Sequence, residues 1–312
     1  MKFQFFYYDK NMLFGCYHFI CTLTKDTILP SYKGSTIRGI FGRALKKVVC
    51  VLKRQECKSC LLRKNCLYAI LFDTGNIPPP FVIEPPLADT THFKKDDIFD
   101  FHLILFGEIN KNFPYIVYAF KEAESFGFGK AINNGKKGSL RLKEVRKEGK
   151  IIYSDDSQTI QIKDLYTELK VPVLRENKTH TTQLKINLLT PLRLKFRNKL
   201  SAELPFHVLI RAVLRRIFTL FSYYGEGKPE LDYVGLVRKA ESVKIVKSDI
   251  SWFDWKRYSF RQDQAMLMGG IVGSITYEGD IGEFVPLIQL CEKLHIGKQT
   301  SFGLGKIKLE LL

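Results

Sequence analysis

Apolar positions along the chain follow two periods, one of about two residues and one of about 3.6, and the switches between them mark out elements. Residues 13–24 (LFGCYHFICTLT) are rich in aromatic and β-branched types and predict a first strand. Pro30 and Gly34 interrupt it. Ile37, Phe41, Leu45 and Val48 then fall at i, i+4, i+8 and i+11, the signature of a helix with one buried face. Past Pro78-Pro79-Pro80, which no regular element crosses, residues 81–84 and 99–108 predict strands. Residues 114–124 predict a helix, with Tyr115, Tyr118/Ala119 and Glu122 at helical spacing. A strand over 139–142 follows, and residues 151–172 read as a polar-tipped hairpin that closes the first half.

Residues 175–182 are polar and aperiodic, which makes them the candidate linker. The second half repeats the plan. Residues 183–194 alternate over Leu184, Ile186 and Leu188 as a strand should, and a helix begins near Pro205 with the stripe Leu209, Val213, Ile217 and Leu220. Residues 269–277 predict a strand, 281–294 a helix and 307–311 a terminal strand. Each half approximates β-α-β-β-α-β, the ferredoxin-like (RRM-like) order. The expected fold is α+β: tandem ferredoxin-like domains over residues 1–175 and 176–312, the first with a cysteine-rich insertion at about 50–66.

A six-residue phrase occurs twice, Ser125-Phe126-Gly127-Phe128-Gly129-Lys130 and Ser301-Phe302-Gly303-Leu304-Gly305-Lys306, with five of six positions identical and the copies 176 positions apart. Each copy stands between a helix and a strand. Glycines there allow sharp turns and bring bare N–H groups toward a ligand, with a lysine alongside, so Gly127, Gly129, Lys130, Gly303, Gly305 and Lys306 are candidate phosphate contacts. The duplicated phrase points to a duplicated unit.

Charge narrows the function. Lys plus Arg number 49 against 32 Asp plus Glu, a formal net charge of +17, which favours a polyanion such as nucleic acid. With 45% hydrophobic residues the chain is globular, and it has no run of eighteen apolar residues and no signal-type cleavage site after Met1, so a cytoplasmic protein without membrane partners is expected. From Lys33 to Lys64 ten basic residues face one acid, Glu56; Arg38, Arg43, Lys46 and Lys47 lie on the non-apolar faces of the first helix. From Lys130 to Lys150 eight basic residues face two acids, and Lys136 and Lys137 sit in a glycine-rich loop suited to an RNA backbone. On the second-half helix His207, Arg211 and Arg215 recur every four residues, one titratable ring above two guanidiniums.

Cys50, Cys57, Cys60 and Cys66, spaced C-x6-C-x2-C-x5-C, supply four thiolates of the kind a structural tetrahedral zinc ion requires; the spacing also suits a [4Fe–4S] cluster. Such a metal would staple an insertion too small for its own core. No catalytic role for it is expected.

The stretches LPSYKGSTIRGIFGRAL (29–45), CLYAILFDT (66–74), LPFHVLIRAVLRRIFTL (204–220) and SFGLGKIKL (301–309) resemble the Cas6-type members of the CRISPR-associated RAMP superfamily. That resemblance implies tandem ferredoxin-like domains that bind CRISPR repeat RNA and cut precursor CRISPR RNA without metal. It implies attack of a ribose 2′-OH on the phosphate, leaving a 2′,3′-cyclic phosphate and a 5′-OH. Many relatives place a histidine near the start of the first helix, whereas residues 25–50 here contain none, and Tyr32 and Lys33 stand in its place. The expected proton-transfer residues are therefore Tyr32 and Lys33, their pKa values pulled down by neighbouring cations, and His207, with His18 in reserve. The alternative is a non-catalytic RNA-binding subunit of a CRISPR effector complex, monomeric or homodimeric.

Overall fold

A computed structural model describes residues 10–53, 55–132, 137–174, 183–196, 200–259 and 264–312. By their internal contacts these form two compact units. The first comprises Leu13–Thr167 and Thr300–Gly303; the second comprises Glu168–Gln299 and Leu304–Leu312, with the residues up to Met12. The division thus falls at 167/168, not at the expected 175/176, and the tetrapeptide 300–303 returns to the first unit. The expected linker, 175–182, lies outside the described residues.

In the first unit β1 (Asn11–Leu23), β2 (Thr27–Ile28), α1 (Gly34–Val49), α2 (Leu67–Phe72), β3 (Phe81–Glu84), β4 (His92–Phe93), β5 (Ile98–Phe106), α3 (Phe113–Glu122), β6 (Lys130–Ala131), β7 (Leu140–Lys147) and β8 (Lys150–Ser154) follow in order, and β9 (Thr167–Lys170) begins at the division. The main sheet runs β3-β5-β1-β7-β8, its neighbours antiparallel, and β9 also pairs with β1. Strip away the short strands and β1-α1-β3-β5-α3-β7 is a ferredoxin-like unit with β1 at its centre. Alternate residues of β1, Tyr17, Phe19, Cys21 and Leu23, are fully buried. They meet the inner faces of α1 and α3 through rings: Phe19 lies 4.7 Å from Phe120, which stacks at 4.8 Å on Phe41. Each such ring removes a large apolar area from water and holds the helices to the sheet.

On α3 the buried face is Phe113, Ile116, Val117, Ala119 and Phe120, while Tyr115 and Tyr118 point to solvent, because the aliphatic and Phe residues outcompete the tyrosines for the core. The expected 151–172 hairpin is formed only in part: one antiparallel bridge joins Tyr153 to Ile160, and the Gln161 N–H donates to the Ile152 carbonyl at 2.9 Å. β8 pairs mainly with β7, around Glu148 and Gly149, both with positive φ, and β9 pairs with β1.

The second unit consists of β10 (Gln183–Leu192), α4 (Phe206–Tyr224), α5 (Tyr233–Ala240), β11 (Lys244–Ser259), β12 (Gln264–Glu278), α6 (Val285–Leu294) and β13 (Ile307–Leu311). Its sheet order, β11-β12-β10-β13, is the same ferredoxin-like order as in the first unit. The α4 stripe Leu209, Val213, Ile217 and Leu220 is fully buried, as its spacing predicts. The long edge strand β11 carries no sequence signal because residues 244–249 are exposed throughout and have no apolar alternation.

Gly305 adopts φ +76°, and a β-carbon there would stand 1.8 Å from the Ile296 carbonyl oxygen. The same two residues are joined by a hydrogen bond from the Ile296 N–H to the Gly305 carbonyl, 3.0 Å, so neither backbone can retreat. Gly149 has a similar φ of +79° but nothing within 4 Å of its would-be β-carbon. In urea unfolding, Gly149→Ala should lose about 1 kcal/mol, from left-handed strain alone. Gly305→Ala should lose roughly 2–4 kcal/mol, since strain and clash combine.

Candidate nucleic-acid interface

The outer face of α1 presents its cations against aromatic rings in the first unit. Ile37, Ile40, Phe41, Ala44 and Leu45 face the core, which turns Arg43 and Lys47 outward. The Arg43 guanidinium lies 5.4 Å and the Lys47 ammonium 5.6 Å from the centre of the half-buried Phe126 ring, and Lys46 lies 5.5 Å from that of Tyr68. Arg43 also donates to the Gly127 carbonyl at 3.2 Å, and Lys47 donates to Ser125 Oγ at 3.1 Å. Lys47 pairs with Glu122 at 2.8 Å and, by that hydrogen bond, holds the Glu122 carboxyl below its ordinary range. The first glycine phrase is therefore gathered onto the basic helix. Gly127, Lys130 and Lys137 are exposed beside it; Lys136 lies outside the described residues. Gly129 has a packing task as well, with φ +72° and a would-be β-carbon 2.5 Å from Thr27 Cγ2 on β2.

The second phrase does something different from what its sequence suggests. Thr300, Ser301 and Phe302 are buried, and the Gly303 N–H donates to the Thr300 carbonyl at 2.7 Å. Gly303 has φ +90°, and its would-be β-carbon lies 2.4 Å from the Ile83 carbonyl oxygen on β3. The Gly305 N–H donates to the Pro191 carbonyl at 3.1 Å. Gly303 and Gly305 are packing glycines, and the expected phosphate cradle is not open at either. Lys306 is half-buried, its N–H donating to Thr190 Oγ1 at 2.8 Å.

At the start of α1, the Tyr32 hydroxyl donates to the Phe302 carbonyl at 2.8 Å. Burial pushes the phenol pKa far above its ordinary value, and Glu84 adds to the shift. This reverses the expectation that nearby cations would pull it down. Lys33 has no exposed surface, and its Nζ donates to the carbonyls of Ser31 (2.9 Å) and Ala88 (2.7 Å). Its pKa is lowered, in the expected direction, but burial rather than neighbouring cations is the cause, with Asp89 opposing. Arg38, expected at the RNA surface, is half-buried, its guanidinium 4.4 Å from the Phe302 ring centre and 5.0 Å from that of Phe72. Most of its cation–π attraction thus serves packing.

In the second unit α4 carries His207 half-buried, its ring 6.1 Å from that of Phe196, with Arg211 and Arg215 exposed one and two turns further on. The predicted column therefore exists as a surface feature. Its neighbour Arg216 was missed: it is buried, and its Nε and Nη2 donate to the Leu294 carbonyl at the end of α6, 3.0 and 2.8 Å away. Burial pushes this guanidinium down to about 10. Its position three residues after Val213 and seven after Leu209 puts it inside the core stripe, a signal visible in the sequence. His295 is buried with φ +57°, its Nδ1 3.0 Å from the Leu304 carbonyl, and no sequence pattern announces it. In the first unit His18 lies 2.7 Å from Asp100 and stacks on His102 with ring centres 4.5 Å apart.

Cys50 follows α1, Cys57 and Cys60 bracket one 3-10 turn, and Cys66 ends the next. All four are half-buried free thiols. Among the described residues no group of three or more His, Cys, Asp or Glu side chains is gathered closely enough to hold a metal ion. The expected ligand set is therefore not assembled in this structure. No helix among the described residues is long and apolar enough to cross a membrane.

Residues 186–307 match the model of the CRISPR-associated endoribonuclease Cas6 family, and residues 12–165 match a separate N-terminal-domain model, AF_1859_N. An uncharacterized protein of Archaeoglobus fulgidus is 24% identical over 293 residues, covering 90% of this chain and 92% of the relative. A Cas6 product complex superposes with a TM-score of 0.56 at 14% identity, covering 95% of this chain and 100% of that one. Thermus thermophilus Cas6 superposes with a TM-score of 0.55 at 11% identity, covering 96% and 99%. In a partial Cas6-RT-Cas1–Cas2 complex the match has a TM-score of 0.58 at 11% identity and covers 97% of this chain, which spans 46% of that longer one. Residues 186–307 thus match the CRISPR-associated endoribonuclease Cas6 family, and the chain shares the tandem ferredoxin-like fold of the Cas6 structures on which it superposes.

Proposed function

We propose that the chain is a metal-independent endoribonuclease that binds CRISPR repeat RNA and cuts precursor CRISPR RNA. The observation that carries this reading is the match of residues 186–307 to the Cas6 endoribonuclease family on a duplicated ferredoxin-like fold. The charge of +17 and the cation–aromatic face of α1 supply what an RNA partner requires. In the proposed reaction a ribose 2′-OH loses its proton to a base and attacks the adjacent phosphorus. The bond to the 5′-oxygen breaks as that oxygen takes up a proton, and a 2′,3′-cyclic phosphate and a 5′-OH result. Guanidinium and ammonium groups offset the charge that develops on the phosphorane-like transition state.

Of the three expected proton-transfer residues, His207 fits best, because it is half-exposed on the helix face that also carries the exposed Arg211 and Arg215. Lys33 has a lowered pKa but must give up a carbonyl contact to reach substrate. Tyr32 is held as a hydrogen-bond donor to Phe302. A second reading, a non-catalytic RNA-binding subunit of an effector complex, is favoured by one observation: residues 25–50 hold no histidine, and the tyrosine in its place has a raised pKa.

Incubation with repeat RNA in excess EDTA, beside RNA 2′-deoxy at the cut, separates the two. A single EDTA-resistant cut that the deoxy substitution abolishes is expected; tight binding with intact RNA would leave the binding-subunit reading. In single-turnover assays His207→Ala should slow cleavage by about 10²–10⁴ with RNA affinity retained, while Tyr32→Phe should leave the rate unchanged. Replacing both Arg43 and Lys47 by Ala should weaken RNA binding and flatten the slope of log K against log salt by about 0.7 per lost phosphate contact.

A further inference from the structure

The two longest strands of the second unit run on past the third. β10 pairs with β12 as far as Ile271, whereas β11 and β12 continue together for seven further pairs, from Phe253 with Gly270 to Ser259 with Gln264. At about 3.3 Å per residue this ribbon is roughly 23 Å long. Its base is braced against the end of β10. Arg193 donates from Nη1 to the Gly269 carbonyl at 2.8 Å, and a would-be β-carbon of Gly270 stands 3.0 Å from the Pro191 and Leu192 backbone. Met268 is buried there.

Both tryptophans of the chain, Trp252 and Trp255, lie in the ribbon. Successive strand residues point to opposite faces, so Trp252 shares one face with Asp254, and Phe253 shares the other with Trp255. On the first face glycine makes room for the indole: a would-be β-carbon of Gly269 stands 1.9 Å from Asp254 Oδ1 and 2.9 Å from Trp252 Nε1. Trp252 is thus packed on its own ribbon. On the second face the Phe253 and Trp255 rings stack, with centres 5.8 Å apart and planes 25° from parallel. Phe253 stands opposite Gly270, which has no side chain to cover it, and keeps 47% of its surface exposed; Trp255 is half-buried.

A stacked aromatic pair left in water on an edge strand marks a surface that something covers. The charge around it favours a polyanion. β11 carries Lys244, Lys247, Lys256 and Arg257 against Asp249 and Asp254, in a chain of net charge +17. Flat rings beside excess positive charge are what hold single-stranded nucleic acid, since every base has a face to stack and the cations attract its backbone. Paired RNA keeps its bases stacked inside the helix and offers no such face.

We propose that Phe253 and Trp255 form a stacking platform for an unpaired base of the bound RNA. The platform rests on the RNA partner proposed above and adds to it a contact with bases in place of phosphates.

Because the chain has no third tryptophan, indole emission reports on this ribbon alone. The full-length Trp252→Phe variant, with Trp255 as its single emitter, is titrated with repeat RNA made 2′-deoxy at the cut, which stays whole whether or not the chain is a nuclease. Binding is read in parallel by gel shift. Saturating RNA should quench the emission. Trp255→Ala and Phe253→Ala should each weaken RNA binding about tenfold, and Trp255→Phe should restore most of it. The slope of log K against log salt should stay as in the parent chain, because no phosphate contact is lost. Emission that stays unquenched at saturating RNA, or parental affinity in both alanine variants, would overturn the platform and leave the RNA reading standing. RNA that does not bind the parent chain at all would overturn both. A dimer seen by sedimentation and dissociated by Phe253→Ala would overturn the assignment to RNA in favour of a second copy of the chain.

Discussion

The first unit depends on one close approach. The Phe302 carbonyl oxygen occupies a point 1.9 Å from where a β-carbon of residue 34 would lie, so only glycine can begin α1 there. The Tyr32 hydroxyl donates to the same oxygen, and the Phe302 ring receives the Arg38 guanidinium one turn along the helix. Three contacts to a single residue from the far end of the chain thus fix where α1 starts and how it is rotated. Its rotation decides which of its cations reach solvent: Arg38 is turned inward among rings, while Arg43 and Lys47 are left outside over Phe126.

The positive charge divides along the same line. Lys33 and Arg216 are buried, and each is held by backbone carbonyls, to Ser31 and Ala88 in one case and to Leu294 in the other. Carbonyl dipoles recover part of the cost of taking a cation out of water, and burial still lowers the pKa of both groups. Such cations lock turns and helix ends. Arg43, Lys46, Lys47, Lys130, Lys137, Arg211 and Arg215 remain for a polyanion. In water their value lies in many weak contacts acting together, since a single exposed ion pair contributes little.

The two copies of the glycine phrase show how one sequence solution serves two ends. Phe128 in the first and Leu304 in the second are both fully buried, and both following glycines have positive φ. The shared demand is a reversal of the chain just before the last strand of a ferredoxin-like unit. Around that reversal the first copy keeps Gly127 at the surface beside a basic helix. The second is covered on every side, with its N–H groups bonded internally.

By itself the sequence determined the β-α-β-β-α-β order of the first half and all but the second strand of the same order in the second, the core stripes of α1 and α4, and the boundaries of β3 and β13. These rest on short-range periodicity and on Pro and Gly punctuation, which tertiary contacts only reinforce. It also marked the outward cations of α1, because residues opposite an apolar stripe have nowhere to go but solvent. Tertiary structure alone decided the rest. It raised the Tyr32 pKa through burial, turned Arg38 inward, closed the second glycine phrase and took residues 300–303 into the first unit. It also supplied β11, an exposed edge strand that pairing with β12 holds in place of any apolar pattern of its own. Each of those outcomes depends on which distant segment arrives beside a residue, and spacing along the chain carries no record of that.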